Sequence, residues 1–483
     1  MQKNLITLIL VLGAITLAKA QNCDCPSNFE WVRKTIEEND AGYAYSLQQK
    51  GVVAYEQHTK SYAEKSVQIE DIIECAEMIY EWLSFFRSGH LSIRLMDKNN
   101  DQSDAEPSQK EIIAQFKDWE KMDMDLKEFK KYLESNKASS YEGIWVSPPY
   151  EIGIKKQQEN YVGFVIQGDG AYWTKGQVKL KIKPDSTATY FMRDHSAQNF
   201  SKAELLGKNV LELGFVRLKR KDAVDGTEAN IERYVKAVEA TSPYFEIIDN
   251  STNLLRIPDF DYSQKRQIDS VLTAHSKRLS TSPNLIIDIR NNGGGSDASF
   301  GEILPILYTN PIRTVGVEYL STELNNQRML DFINKGEYGF SDEEKEWAKE
   351  SYDKLSKELR KFVNLEDEDV TVITYDTIQP YPKQIGILIN EGNGSTAEQF
   401  LLAAKQSKKV KLIGTTTVGV LDISNMYFVD SPCNQFKLGY SLTKSMRLPE
   451  MAIDGKGIQP DYFIDKSIAK YEWIDFAVKI LGE

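Results

Sequence analysis

The stretch Leu285-Ile286-Ile287-Asp288-Ile289-Arg290-Asn291-Asn292-Gly293-Gly294-Gly295-Ser296 joins a short apolar run to three consecutive glycines. Leu285–Ile289 has the length and composition of a strand buried on both faces. Glycines directly after such a strand let backbone N–H groups turn towards a ligand without obstruction by side chains. We therefore expect a loop that forms part of an oxyanion hole. The alternative is an ordinary tight turn in which Ser296 or Asp297 caps the next helix.

Strand-like and helical patterns alternate on both sides of this stretch, which is typical of a layered α/β core. We assign this core to residues 222–483, with a charged helical insertion at about 323–366. The expected strands are Leu254–Ile257, Leu285–Ile289, Gln384–Asn390 and Val410–Gly414, and the expected helices are Tyr262–Leu279, Asp297–Tyr308 and Thr396–Gln406.

The chain before this core contains three segments with different sequence patterns. Residues 1–20 hold a lysine, an apolar run from Leu5 to Leu17 and small residues around Ala20, the pattern of a signal peptide. Residues 21–140 have mainly helical periodicity, and residues 141–221 are short strand-like runs divided by turn residues. We expect an exported protein, periplasmic or secreted after cleavage near Ala20, with an N-terminal helical region and an inserted small all-β module.

The amino-acid composition limits which binding partners and cofactors are expected. A net charge of −12 argues against nucleic-acid binding, which normally needs a basic face. No later apolar stretch is long enough for stable membrane insertion. Cys23 and Cys25 are too close to be a typical pair, so each is expected to bond Cys75 or Cys433; free thiols are the alternative. No cluster of cysteines or histidines has zinc-ligand spacing, and no cofactor or metal is predicted.

A second glycine-rich turn lies at Asn390–Glu398, between an expected strand and an expected helix. It places Ser395 at a helix N-terminus, where unpaired N–H groups and the helix dipole favour negative charge. That position suits a nucleophile whose attack on a carbonyl creates an oxyanion. The competing interpretation is a capping box, because Glu398 follows Ser395 at the spacing that caps helices without any catalysis.

Four segments together resemble the tail-specific, or C-terminal processing, serine protease family. Leu285–Gly295 is similar to its "IIDLRNNGGG" segment and Asn390–Phe400 to its nucleophile segment. Leu412–Gly419 resembles its "GxxTxG" turn and Gly457–Asp461 its closing "GIxPD" motif. Each segment alone is weak, but the four occur in the family's order across about the last 240 residues. The resemblance implies a crotonase/ClpP-like layered protease core with Ser395 as nucleophile.

The sequence departs from the commonest form of that family. Many members carry a lysine base in Thr-x-Gly-Lys-Gly, whereas this chain has Val420 and Leu421 after Thr417-Val418-Gly419. The tricorn-like branch resembles a Ser/His/acid arrangement instead. His90 of Ser88-Gly89-His90 matches its upstream base, and Asp454 matches its acid. The resemblance therefore implies a triad of Ser395, His90 and Asp454, with His58, His195 and His275 as packing or surface residues.

The implied function is an exported serine endopeptidase that hydrolyses peptide bonds through an acyl-enzyme on Ser395. His90 would act as general base, and backbone N–H groups near Gly294 and of Thr396 would form the oxyanion hole. Polypeptides or short peptides are the expected substrates, and a homo-oligomer is compatible with the sequence. Two alternatives stay open, namely a catalytically idle module that binds an apolar ligand or peptide, and a serine esterase.

Overall fold

The computed structural model describes residues 23–96, 108–135 and 141–482; the predicted signal peptide lies outside them. In these ranges no helix is long and apolar enough to cross a membrane. The helices are α1 Cys25–Asn39, α2 Tyr43–Lys50, α3 Val52–Ser66, α4 Ile72–Leu83, α5 Gln109–Gln115, α6 Leu126–Ser135, α7 Ala229–Glu239, α8 Lys265–Ala274, α9 Ser276–Leu279, α10 Leu304–Leu307, α11 Glu323–Asn334, α12 Asp342–Ser356, α13 Thr396–Ala404 and α14 Trp473–Gly482, with short 3-10 turns at Tyr262–Gln264, Asp297–Ile303, Gly336–Tyr338 and Lys470–Glu472.

The strands belong to four sheets. They are β1 Ser92–Leu95, β2 Gly143–Ser147, β3 Tyr150–Gln157, β4 Asn160–Gln167, β5 Val178–Ile182, β6 Ala188–Phe191, β7 Ala197–Phe200, β8 Glu204–Leu206, β9 Val210–Leu213, β10 Val216–Arg220, β11 Tyr244–Ile247, β12 Thr252–Arg256, β13 Asn284–Asp288, β14 Ile312–Val315, β15 Val317–Leu320, β16 Phe362–Asn364, β17 Val370–Ile373, β18 Gln384–Ile389, β19 Val410–Gly414, β20 Ile423–Asp430, β21 Phe436–Ser445 and β22 Tyr462–Phe463.

The chain divides into two compact units. The first unit comprises the described residues of 1–98, 311–374 and 418–458, and the second those of 99–310, 375–417 and 459–483. These units differ from the predicted boundaries, since α5 and α6 group with the β module rather than with the preceding helices. The reason is local packing, because Phe129 of α6 is fully buried against Ile144 and Phe164 of the module.

In the first unit, helices α1, α3 and α4 pack against a five-stranded sheet. Strand β21 is its centre, with β20 along one side and β1 and β15 along the other. Helix α4 has buried residues three and four apart, as its sequence pattern predicts, and Trp82 is the largest of them. The turn after α4 leads into β1, and this turn carries His90.

Two disulfides also lie in the first unit. They join Cys23 to Cys433 and Cys25 to Cys75. The expectation that Cys23 and Cys25 do not pair with each other is confirmed, and the free-thiol alternative is wrong, since the structure contains no free cysteine. The bridges fasten the start of α1 to α4 and to the turn between β20 and β21.

The second unit contains a nine-stranded antiparallel sheet in the order β7-β6-β5-β4-β3-β2-β10-β9-β8. Its outermost strands, β7 and β8, are consecutive in the chain and joined only by residues 201–203. Nine strands in a flat sheet would put the outer two about 38 Å apart, whereas this link reaches at most about 15 Å. The sheet therefore curls into a barrel-like module, all of it within residues 141–221.

The second unit also contains a six-stranded sheet in the order β11-β12-β13-β18-β19-β22. Strands β12, β13, β18, β19 and β22 are parallel, and β11 is antiparallel to β12. Strand β13 is buried at every position, as its apolar sequence predicts. The predicted mixed α/β class is confirmed, while the crotonase/ClpP-like layering stays a prediction.

Candidate active site

Two neighbouring parallel strands bring the two glycine-rich loops of the second unit together. Strand β13 pairs with β18 in a register that sets Asp288 opposite Leu388. The carboxyl ends of parallel neighbours lie at the same edge of a sheet, so residues 289–296 and 390–395 leave it side by side. Ligands of open α/β sheets bind at this kind of edge.

Asparagine side chains connect the two loops. The side chain of Asn393 is fully buried, and its Nδ2 donates to the carbonyl oxygens of Ile289 at 2.5 Å and Asn292 at 3.2 Å. Its Oδ1 accepts from the N–H of Asn390 at 2.7 Å. In the other direction, the N–H of Asn291 donates to Asn390 Oδ1 at 2.8 Å. The loops are thus held in one fixed arrangement.

Ser395 has a backbone conformation that a non-glycine residue rarely adopts, with φ 55° and ψ −124°. Such a conformation costs about 1–3 kcal/mol and persists only where its surroundings enforce it. A strained residue between a strand and a helix is also how a nucleophile elbow presents a serine. The geometry therefore has the form expected of a nucleophile.

The capping-box interpretation of this segment is wrong. Ser395 precedes α13, but its side chain makes no capping hydrogen bond to the helix. The side chain of Glu398 is fully buried and accepts a hydrogen bond from Thr417 Oγ1 at 2.5 Å. The spacing of Ser395 and Glu398 therefore has another cause than helix capping.

Gly294 packs directly against this strained turn. Its φ of +110° favours glycine, and a Cβ atom there would lie 2.8 Å from Ser395 Cβ and 2.9 Å from Thr396 N. Thr396 adds a second link between the loops, since its Oγ1 donates to the carbonyl oxygen of Gly295 at 3.0 Å. The structure thus brings Gly294, Ser395 and Thr396 together, three of the residues that the sequence singles out.

The N–H groups around Ser395 differ in whether they already donate a hydrogen bond within the protein. The N–H of Gly294 donates to Asn292 Oδ1 at 3.0 Å. Within the described ranges, the N–H groups of Gly295 and Thr396 donate to no other protein group. Gly295 is therefore a candidate oxyanion donor that the sequence reasoning missed; only its place in the glycine run could have indicated it.

His90 lies in the first unit, in the turn between α4 and β1, with φ 55°. Its Nδ1 is 2.6 Å from the carbonyl oxygen of Ile423. A carbonyl can only accept, so Nδ1 carries the proton and Nε2 of the neutral ring carries the lone pair. Burial lowers the pKa of His90 below its ordinary value, which keeps the ring neutral at neutral pH. This is the tautomer that a general base acting through Nε2 needs.

Asp454 also lies in the first unit and is linked to His90 indirectly. Its carboxylate accepts from the N–H groups of Leu421 at 2.6 Å, Asp422 at 2.7 Å and Ile423 at 3.3 Å. Among the described residues it makes no hydrogen bond to His90; the connection runs through residue Ile423, whose N–H donates to Asp454 and whose carbonyl binds His90 Nδ1. Burial, together with the nearby Asp422 carboxylate, raises the pKa of Asp454 to about 6. Its role as the acid of a triad stays a prediction.

The other histidines have packing contacts, as the sequence interpretation expects. His58 stacks on Phe85, and His275 stacks on Phe245. His195 lies between the rings of Phe116 and Trp173, with both centroid distances 3.8 Å. Within the described part of the chain, no group of three or more His, Cys, Asp or Glu side chains is arranged to hold a metal ion.

The model of peptidase family S41 matches residues 251–464, a range that includes the four motifs of the predicted resemblance. No curated protein matches the sequence significantly.

Similar chains are also found among the solved structures. Mature CPAF in complex with lactacystin is 13% identical, with 95% of this chain and 97% of that chain covered and a TM-score of 0.49. The photosystem II D1 C-terminal processing protease is 12% identical, with 95% and 97% covered and a TM-score of 0.39. The tricorn protease is 12% identical, with 95% and 36% covered and a TM-score of 0.40.

Proposed function

We propose that this serine peptidase, in which the model of peptidase family S41 matches residues 251–464, cleaves polypeptides internally through an acyl-enzyme on Ser395. The observation that carries this proposal is the strained Ser395 turn with Gly294 packed against it. Strain of this kind is retained where surrounding contacts enforce it, and it clusters at active sites.

In the proposed first half-reaction, Ser395 Oγ attacks the carbonyl carbon of the scissile peptide and passes its proton to His90 Nε2. The N–H groups of Gly295 and Thr396 donate to the oxyanion of the tetrahedral intermediate. Collapse of that intermediate breaks the C–N bond, and the leaving amine takes the proton from His90. Gly294, the donor position predicted from the sequence, instead shapes the loop, since its own N–H already bonds Asn292.

In the second half-reaction, His90 accepts a proton from water as the water oxygen attacks the ester carbon. The new acid product leaves when Ser395 Oγ recovers the proton from His90, so each turnover consumes one water. The tautomer of His90 and the lack of a lysine at residues 417–421 both support histidine as the base. Asp454 would support the base through the Ile423 peptide, which its carboxylate holds in place.

A fluorophosphonate probe tests the nucleophile. We expect one probe per chain, attached to Ser395, and no labelling of Ser395→Ala. Ser299→Ala is the matched control, because Ser299 is a buried serine of the same unit whose Oγ donates to the carbonyl of Asp261. A folded wild-type protein that takes up no probe would contradict the proposal and favour the idle binding module.

Digestion of an unfolded protein, followed by mass spectrometry, then separates peptidase from esterase. New internal termini that need Ser395 support the endopeptidase. Hydrolysis of p-nitrophenyl esters without any peptide cleavage would favour the esterase instead.

Export is part of the same proposal. The two disulfides support it, since such bonds persist in oxidising compartments. Sequencing of the mature N-terminus should give Gln21 as the first residue. A mature protein that still carries residues 1–20 would contradict cleavage near Ala20.

A further inference from the structure

Two charged residues lie beneath the turn that carries His90. The Arg87 and Asp40 side chains are only 10% and 0% exposed, and they form a two-pronged ion pair. Arg87 Nη1 donates to Asp40 Oδ1 at 2.8 Å, and Arg87 Nη2 donates to Asp40 Oδ2 at 2.6 Å. A buried ion pair is a weak source of stability, because desolvation offsets much of the attraction. The contribution of this ion pair to stability therefore does not explain the geometry that it imposes on the turn.

The same guanidinium holds the backbone of His90. Arg87 Nη2 donates to the carbonyl oxygen of His90 at 3.1 Å, and Ser441 Oγ donates to the same oxygen at 3.3 Å. Asp40 completes the group by accepting from the N–H of Ser441 at 3.1 Å. The carbonyl of His90, in its positive-φ conformation, is thus held by two donors, one of which is Ser441 of strand β21.

Two glycines show how little room surrounds this turn. A Cβ at Gly42 would lie 2.5 Å from Arg87 Nη1 and 2.8 Å from Ile423 Cγ2. A Cβ at Gly89 would lie 2.5 Å from Val420 Cγ1. The imidazole is held from the other side, since Nδ1 bonds the carbonyl of Ile423. Backbone and ring of His90 are therefore fixed by separate partners.

We infer that Arg87 and Asp40 are positioning residues, which fix the backbone of His90 so that its Nε2 points in the direction that proton transfer requires. This inference rests on the proposed function, in which His90 is the general base. Lysine cannot replace Arg87 in this role, because a single ammonium group lacks the planar fork that binds Asp40 and the His90 carbonyl together.

The pair also predicts the pH dependence of the base. Besides burial, the largest cause, the Arg87 charge lowers the pKa of His90 and the Asp40 charge raises it. Asp422 and Asp454 are the other charged groups beside the Ile423 peptide that bonds the ring. The acid limb of the pH–activity profile is the fall in activity as His90 becomes protonated. Removing the charge of Arg87 should therefore move this limb to higher pH, and Asp40→Asn should move it to lower pH.

The test measures the rates of fluorophosphonate labelling and of peptide hydrolysis as functions of pH. Both rates are expressed per protein molecule that is folded and active. Arg87→Lys keeps the positive charge but lacks the planar guanidinium group. We therefore expect kcat to fall about 10- to 100-fold, while KM and the pH of the acid limb stay unchanged. Arg87→Met should reduce kcat similarly and also shift the limb upwards. The matched control is Arg33→Met, which removes an ion pair of α1 with Glu30 and Glu37 in the same unit and should leave both readouts unchanged.

His90→Ala separates the inference from the function on which it rests. If His90→Ala retains wild-type turnover, the proposed base is wrong. If His90→Ala is inactive but folded Arg87→Lys has wild-type kcat, the positioning role is wrong and the base assignment stands. Arg87→Lys and Arg87→Met that differ from wild type only in melting temperature would likewise overturn the inference.

Discussion

Replacing Gly294 by alanine tests the nucleophile turn more directly than any change to a polar side chain. The new Cβ would lie 2.8 Å from both Gly394 O and Ser395 Cβ, so roughly half an ångström of separation has to be created. None of these neighbours is a flexible side-chain end that can move aside. The loops or the Ser395 turn have to shift.

The size of the effect follows from two costs. Alanine at a φ of +110° is strained by about 1–3 kcal/mol, and overpacking adds a similar amount, so we expect a loss of about 2–6 kcal/mol in the free energy of unfolding. A displacement of about 1 Å at a reacting group lowers the rate by about a hundredfold. A shift of half that size should therefore lower turnover about tenfold to a hundredfold.

The neighbouring Gly293 supplies the matched control. A Cβ there has no heavy atom within 4 Å, and its φ is not in the left-handed region. Gly293→Ala should therefore unfold in urea near the wild-type midpoint and hydrolyse peptide at close to the wild-type rate. If folded Gly294→Ala labels with fluorophosphonate as fast as Gly293→Ala, the reasoning about this contact is refuted.

Three further predictions concern stability. Asn393→Ala should lower the free energy of unfolding in urea by about 2–4 kcal/mol, because it leaves the carbonyl of Ile289 and the N–H of Asn390 without their partner. The control Asn334→Ala, at the exposed end of α11, should cost little. Reducing the Cys23–Cys433 and Cys25–Cys75 bridges should lower stability by about 2–5 kcal/mol per bridge, and an unchanged melting temperature under dithiothreitol would contradict this. Burial lowers the pKa of Lys179 to about 7 from an ordinary 10.5, so the folded state binds this proton less readily than the unfolded chain and stability should rise between about pH 7 and 10.5. In urea titrations Lys179→Met should lack that rise, and parallel pH profiles for the two proteins would sink the prediction.

Much of the part of the candidate site that lies in the second unit could be predicted from the sequence, because local patterns determine it. An apolar run of strand length followed by three glycines requires a buried strand and a turn, and the structure has β13 and residues 289–296 there. The same holds for β18, the turn at Ser395 and α13. The turn residues within 141–221 likewise indicate an all-β module, although they do not specify its nine strands.

What the sequence could not predict depends on contacts between distant residues. The spacing of Ser395 and Glu398 is that of a capping box, and only tertiary packing shows Glu398 buried against Thr417. Asp454 is connected to His90 through the backbone N–H and carbonyl of Ile423, and no sequence spacing encodes a link through backbone groups. The grouping of α6 with the β module depends on where Phe129 packs, which its own helical periodicity does not specify.

The barrel-like module has a consequence for how such a chain can be assembled and re-engineered. The chain enters the barrel on β2 and leaves it on β10, and these strands pair, with Trp145 opposite Arg220. Paired residues of antiparallel strands have Cα atoms about 5 Å apart, so the two ends of the insert are already neighbours. A segment with adjoining ends can be gained, lost or exchanged as a cassette, with a linker of a few residues to bridge the gap. A related peptidase could therefore carry a different module at this position and keep the same six-stranded sheet.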